Sequence, residues 1–315
     1  MSGTKKARKK KGSAKPADLI KTLALRGPHK VDRGDLGIVG LAGQVFAPRT
    51  GQDYPAVAFG HAWLKGSAAY RDLMVHLASW GIVVAAPDSE RGPLASDVEL
   101  ATDLRAALTV LQSVPLGTTE PVTVNPAQVG LVGHGFGAAA AVLAASSRPL
   151  LGRPQIPVRA LATLFPAPST RQLLPAAAEV TAPALILAAD DQTDSLTGNA
   201  VQLAHTLGGD VVLRTLAGAT NRGLLEKRSL KTLIGVNGAD KATHKTVRAQ
   251  LTGYLLHTLT GDDHYAPFAD PEAVFPDALG VEPGQVRPAD NDHIAQLLGA
   301  KPFADDKKGQ PRIAG

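Results

Sequence analysis

The chain reads as an α/β protein, a mostly parallel sheet covered by helices on both faces. Two observations predict this class. Short runs that are almost wholly apolar recur at Pro55–His61, Ile82–Ala86, Gln128–Val132, Arg159–Phe165, Ala184–Ala189 and Val211–Leu216. Strands buried on both faces have this composition, whereas half-exposed strands alternate apolar with polar residues. Between the runs lie longer segments whose apolar residues recur three or four apart, the helical period. The 315 residues are 44% hydrophobic, enough for one domain of about 200–250 residues plus tails.

In chain order, residues 1–16 are a basic tail punctuated by Gly, Ser and Ala, which cannot bury apolar surface and is expected to be disordered. Residues 17–35 are a short helix or linker. In ADLIKTLALR, Leu19, Ile20, Leu23 and Leu25 fall on one side, an amphipathic face suited to docking on a membrane or a protein. The domain proper runs over 36–261. It opens with LGIVGLAGQVFAP, a strand or hairpin interrupted by glycines, and with the turn PRTGQDYP. Helices are predicted at Ser67–Trp80, Asp97–Leu111, Gly137–Ser146, Leu196–Leu207 and Lys241–Thr260. Residues 262–315, rich in Pro, Asp and Gly, read as a C-terminal extension with one weak helical segment near His293–Leu298.

Strand, turn and helix meet in VGLVGHGFGAAAAVLAA, residues 129–145. An apolar strand ends at Gly133, the turn Gly133-His134-Gly135-Phe136-Gly137 follows, and a helix of small residues begins. This is the setting of the G-x-S-x-G nucleophile elbow, in which a strained turn lifts a serine above the sheet. The small flanking residues are present, but the central residue is Gly135. A glycine-rich phosphate loop is the competing reading. It lacks the G-x-G-x-x-G spacing and an acid about 20 residues on.

The sequence resembles the α/β-hydrolase superfamily, nearest its chlorophyllase, polyester-hydrolase and dienelactone-hydrolase-like branch. PAVAFGHAWLKGSAAYRDLMVHLASWGIVVAAPDSERG (55–92) is similar to that branch's strand, oxyanion loop, helix and following strand. DVELATDLRAALTVL (97–111) resembles the helix before the elbow strand. TAPALILAADDQTD (181–194) resembles the strand end that bears the acid, and LAGATNRGLLE (216–226) the histidine loop. The resemblance covers roughly residues 36–260. It implies an α/β-hydrolase fold whose catalytic set runs in the order nucleophile, acid, histidine.

Two of those three roles are unfilled. Gly135 has no nucleophile, and Asn221 stands where the resemblance puts the base. Asparagine hydrogen-bonds but takes no proton near neutral pH. Asp190, Asp191 and Asp194 are available for the acid, and Asp194 also suits a helix cap. His134 belongs to the elbow and reads as packing beside the turn. His61 reads as shaping the oxyanion loop. The oxyanion donors would be the N–H of Phe136 and that of Ala62 or Trp63, with Trp63 lining the pocket mouth. No HExxH or tight His/Asp cluster points to a metal, and no cofactor is expected. These residues imply a catalytically degenerate hydrolase fold that binds or scaffolds, its ligand a small carbonyl or lipid-like molecule. The alternative is an active esterase with a displaced hydroxyl, from Ser67, Ser89, Thr193 or Ser195.

The net charge of +5 belongs to the tail. Lys5, Lys6, Arg8, Lys9, Lys10, Lys11 and Lys15 face no acid before residue 16, and the rest carries 26 basic against 28 acidic residues. Such a run contacts polyanions without reading sequence, either an anionic membrane or nucleic acid. No aromatic residue interleaves it, which disfavours base stacking. A chain without cysteine or an apolar span suits the cytoplasm, with peripheral contact at the inner membrane face as an extension. The Ala-rich composition is of a kind common in bacteria.

Overall fold

The computed structural model describes residues 15–117, 120–152, 154–167, 173–189, 200–220, 223–225 and 241–281. They form a nine-stranded sheet in the order β1-β2-β4-β3-β5-β6-β7-β8-β9. The strands are β1 (Val31–Asp35), β2 (Gly43–Pro48), β3 (Tyr54–Gly60), β4 (Val83–Pro87), β5 (Val124–His134), β6 (Ala160–Leu164), β7 (Ala184–Ala189), β8 (Val211–Leu216) and β9 (Ala278–Gly280). The six strands from β4 to β8 in sheet order are mutually parallel. An antiparallel β1–β2 hairpin closes one edge and antiparallel β9 the other.

The helices are α1 (Pro16–Leu23), α2 (Arg71–Ser79), α3 (Asp97–Ser113), α4 (Phe136–Ala145), α5 (Leu173–Ala177), α6 (Ala200–Thr206) and α7 (Lys241–Thr260). The sheet separates two cores, and the strand period of two assigns residues between them. Ala56 and Ala58 of β3 face the core built with α3 to α6. Val57 and Phe59 face the core built with α1, α2 and α7. The first layer is thin because α4 is almost all alanine. Arg105 of α3 reaches through it and donates from Nε to the Ala144 carbonyl at 2.9 Å and from Nη2 to that of Ser146 at 2.7 Å. It thereby satisfies carbonyls at the end of α4 that the helix leaves open.

Strand and helix positions follow the sequence pattern, with several differences. β1 lies within the stretch read as a short helix or linker, Leu36–Val39 form a 3₁₀ turn within the run read as a strand or hairpin, and α5 falls where the sequence predicts no helix. The region predicted as one helix over Ser67–Trp80 opens with a 3₁₀ turn, Ser67–Tyr70, and becomes α-helical at Arg71. The amphipathic face of the N-terminal segment is consumed internally. Leu19, Ile20 and Leu23 are buried where α1 lies on α7, so only Leu25, beyond the helix, remains exposed.

A further difference is at the other end of the chain, where Asp263–Phe268 of the C-terminal extension pack on α7 and β9 pairs with β8. Buried Arg214 of β8 explains why. It donates to the carbonyls of Pro267, Phe268 and Asp270 at 2.8–3.1 Å and to Gln250 Oε1 at 2.6 Å. Its guanidinium also lies 4.5 Å from the centre of the Phe275 ring. Burial lowers its pKa to about 10, still charged at neutral pH. No described helix is long and apolar enough to cross a membrane.

The strand order locates the site. The chain passes from β3 outward to β4, then returns across β3 to β5 and continues the other way. The topological switch point therefore lies between the carboxyl ends of β3 and β5, the kind of place where ligands bind in open α/β sheets. Gly60-His61-Ala62 leaves one of these ends and Gly133-His134-Gly135 the other.

Candidate functional site: a nucleophile elbow without a nucleophile

β5 ends at His134 and α4 starts at Phe136, so the chain reverses at one residue, Gly135, with φ 57° and ψ −116°. Side-chain-bearing residues seldom adopt positive φ, and a non-glycine residue there stores strain. Three hydrogen bonds hold the turn: Gly135 N–H to the Leu164 carbonyl at 3.0 Å, and Ala138 and Ala167 N–H to the Gly135 carbonyl at 3.1 and 3.3 Å.

The flanking glycines have a different reason. A Cβ at Gly133 would collide with the Gly137 carbonyl, and a Cβ at Gly137 would collide with the backbone of Gly60. β3, β5 and α4 thus meet backbone to backbone. At Gly135 itself a Cβ meets only Ala62, its Cβ at 3.3 Å. A side chain at the apex would be directed at the loop after β3 and would need Ala62 to give by a few tenths of an ångström.

That loop supplies the second half of the site. Ala62 N–H donates to Tyr70 Oη at 3.0 Å, and Tyr70 Oη lies 2.7 Å from His134 Nδ1. Of the two N–H groups the sequence offers as oxyanion donors, Ala62's is therefore committed. The Trp63 N–H has no partner among the described residues, and neither does that of Phe136, the first residue of α4. Trp63 itself is 51% exposed at the rim. His134 is buried and wedged edge-on between Tyr70 and Phe165.

His61 is also buried. Its Nδ1 faces the Ala62 carbonyl at 3.0 Å and its Nε2 the Ser89 carbonyl at 2.7 Å. Both ring nitrogens point at backbone carbonyls, of which a neutral imidazole donates to one only, and His61 bridges the β3 loop and the β4 loop. Of the candidate hydroxyls, Ser67 Oγ is buried with no hydrogen-bond partner among the described residues, and Ser89 Oγ donates to Asp103 Oδ2 at 2.5 Å. Neither contacts a histidine.

Asp190, Asp191, Asp194, Thr193, Ser195 and Asn221 lie outside the described residues, as do Lys5, Lys6, Arg8, Lys9, Lys10 and Lys11. Among the described residues no cluster of three His, Asp or Glu side chains could hold a metal.

Two residues escape a reading of the sequence. Tyr70 sits at helical spacing and looks like ordinary core, yet it joins the oxyanion loop to the elbow. Asp88 follows an apolar strand and looks like a solvated strand end. Its Oδ1 accepts the Ser67 N–H at 2.8 Å and its own N–H donates to the Ala42 carbonyl at 2.8 Å, so it braces the loop from below.

Residues 41–170 match the chlorophyllase family. The matched stretch contains the oxyanion loop and the elbow and stops short of Asp190 and Asn221. No curated protein matches the chain at a significant level. Strand order, elbow geometry and this match together make the chain an α/β-hydrolase-fold protein, similar over residues 41–170 to the chlorophyllase-like branch.

Proposed function

We propose that this protein is a hydrolase fold retired from serine catalysis, which binds a carbonyl- or carboxylate-bearing ligand without cleaving it. The observation that carries the reading is Gly135, a glycine at the apex of the elbow, where a Cβ would press on the Ala62 methyl group at 3.3 Å and meet no backbone closer than that. Ester cleavage by this architecture needs an oxygen nucleophile to attack the carbonyl carbon, a base to take its proton, and donors for the resulting oxyanion. Glycine supplies no nucleophile. Asn221, where the resemblance places the base, takes no proton. What remains is donor geometry: the Trp63 and Phe136 N–H groups, on a loop and a helix held by buried hydrogen bonds. Preorganised donors bind a carbonyl or carboxylate oxygen whether or not a bond later breaks.

The test is chemical. Purified protein is expected neither to turn over p-nitrophenyl esters nor to be labelled by a fluorophosphonate. Robust turnover together with serine labelling would overturn the reading. The double substitution Gly135→Ser with Asn221→His is expected to create measurable esterase activity, and neither single change is. Tyr70→Phe added to that background should reduce kcat more than KM, because Tyr70 fixes the loop that carries Trp63.

The competing reading, an active esterase with a displaced hydroxyl, finds no support at Ser67 or Ser89, neither of whose hydroxyls hydrogen-bonds a histidine among the described residues. Fluorophosphonate labelling at Thr193 or Ser195 would restore it.

A further inference from the structure

The edge of the sheet that holds the elbow also holds five large apolar side chains. Ile38 is 88% and Val39 42% exposed on the turn between β1 and β2. Trp63 is 51% and Leu64 48% exposed on the loop after β3, and Leu94 is 95% exposed on the loop between β4 and α3. Single exposed apolar residues need no explanation, whereas several on adjoining loops of one sheet edge do.

Hydrogen bonds make these three loops one surface. β2 begins at Gly43 opposite Pro87, which sets the β1–β2 turn beside the carboxyl end of β4. Asp88 then links all three, through Ala42, through Ser67, and through its ion pair with Arg91 at 3.3 Å. His61 Nε2 adds its contact to the Ser89 carbonyl. Leu64 is held in the left-handed region at φ 57°, an unfavourable place for a branched side chain, by a turn closed from Lys65 N–H to the Ala62 carbonyl at 3.0 Å.

We propose that this edge is a lipid-docking surface. The five side chains enter the headgroup–acyl boundary of an anionic bilayer, at the same sheet edge as the carboxyl ends of β3 and β5. The exposures favour lipid over a protein partner. Ile38 and Leu94 stand almost clear of their surroundings instead of lining a groove. A fluid acyl phase receives projecting side chains, whereas a protein must carry matching recesses.

Charge divides the labour. At the rim Lys65 and Arg91 stand with Asp35, Asp88 and Glu90, so the rim gives little preference for anionic lipid. That preference comes from the seven basic residues before Pro16, which face no acid. Apolar insertion and electrostatic attraction are the two signals that stable peripheral anchoring requires. The inference goes beyond the reading of the elbow, because docking needs no chemistry at residue 135.

The experiment is co-sedimentation of the full chain with vesicles of phosphatidylcholine, alone or mixed with phosphatidylglycerol. The full chain is expected to pellet with both and more with the mixture. Deleting residues 1–14 should remove the preference for phosphatidylglycerol and leave binding to phosphatidylcholine. Combined Ile38→Ser, Trp63→Ser and Leu94→Ser should lower partitioning about tenfold or more and leave only salt-sensitive binding to the mixture. These side chains are exposed, and an unchanged circular dichroism spectrum verifies the fold. In a Trp80→Phe chain, Trp63 emission should move to the blue on adding vesicles. The proposal is overturned if the triple variant binds as well as the full chain, if the full chain does not pellet, or if light scattering finds a rim-dependent dimer without vesicle binding.

Discussion

Two neighbouring glycines separate what the elbow needs for folding from what it needs for chemistry. Gly137→Ala drives a methyl group into the Gly60 backbone, so it is expected to cost about 3 kcal/mol or more in urea unfolding. Gly135→Ala meets only Ala62 and incurs chiefly the price of positive φ, about 1–2 kcal/mol. An equal cost at both positions would contradict the difference in what the two Cβ atoms meet. The elbow was legible because its demands are local, a strand, five residues and a helix of small side chains. Tyr70 was not, because its partner His134 lies 64 residues away and only the folded sheet joins them. That the Ala62 N–H is held by Tyr70 was likewise closed to sequence, since the two meet only through the fold of the loop after β3.

At the scale of elements, the buried histidine of α2 beside the end of α1 makes the fold pH-sensitive. His76 of α2 is buried near Leu23, and desolvation foremost, then Arg248 and more weakly Arg26, lowers its pKa from 6.5 to about 4 despite an opposing contribution from the Leu23 backbone. The folded state therefore favours the neutral ring. Its stabilisation is fully present above pH 6.5 and is lost as pH falls toward 4, a swing of about 3 kcal/mol. Far-UV thermal melts across this window should lose midpoint steadily, and His76→Leu should flatten the loss. β9 is the complementary case at the other edge. Arg214→Leu would leave the carbonyls of Pro267, Phe268 and Asp270 without their donor and cost about 3–5 kcal/mol, with accelerated hydrogen exchange over 263–281. Period and composition revealed the long helices and the apolar strands. They could not reveal a three-residue strand set among Pro and Asp, whose anchor lies on β8.

For the molecule as a whole, charge and fold are separable. Without residues 1–14 the chain keeps 27 basic and 28 acidic residues, so it should pass through a cation exchanger at neutral pH that retains the full chain. Its unfolding midpoint should not move. The architecture was legible at this scale because a sheet covered on both faces leaves apolar runs at regular intervals, and strand order then places the switch point. The sequence is also free of cysteine, which gives the vacancy at Gly135 a practical value. A Gly135→Cys chain would carry one thiol in the entire molecule, at the amino end of α4, where thiolate is favoured. A disulfide-exchange or maleimide probe would then report from the elbow alone. Fragments captured there from a small-molecule library would reveal the shape and chemistry of what the site accepts, using the position left open by the missing side chain.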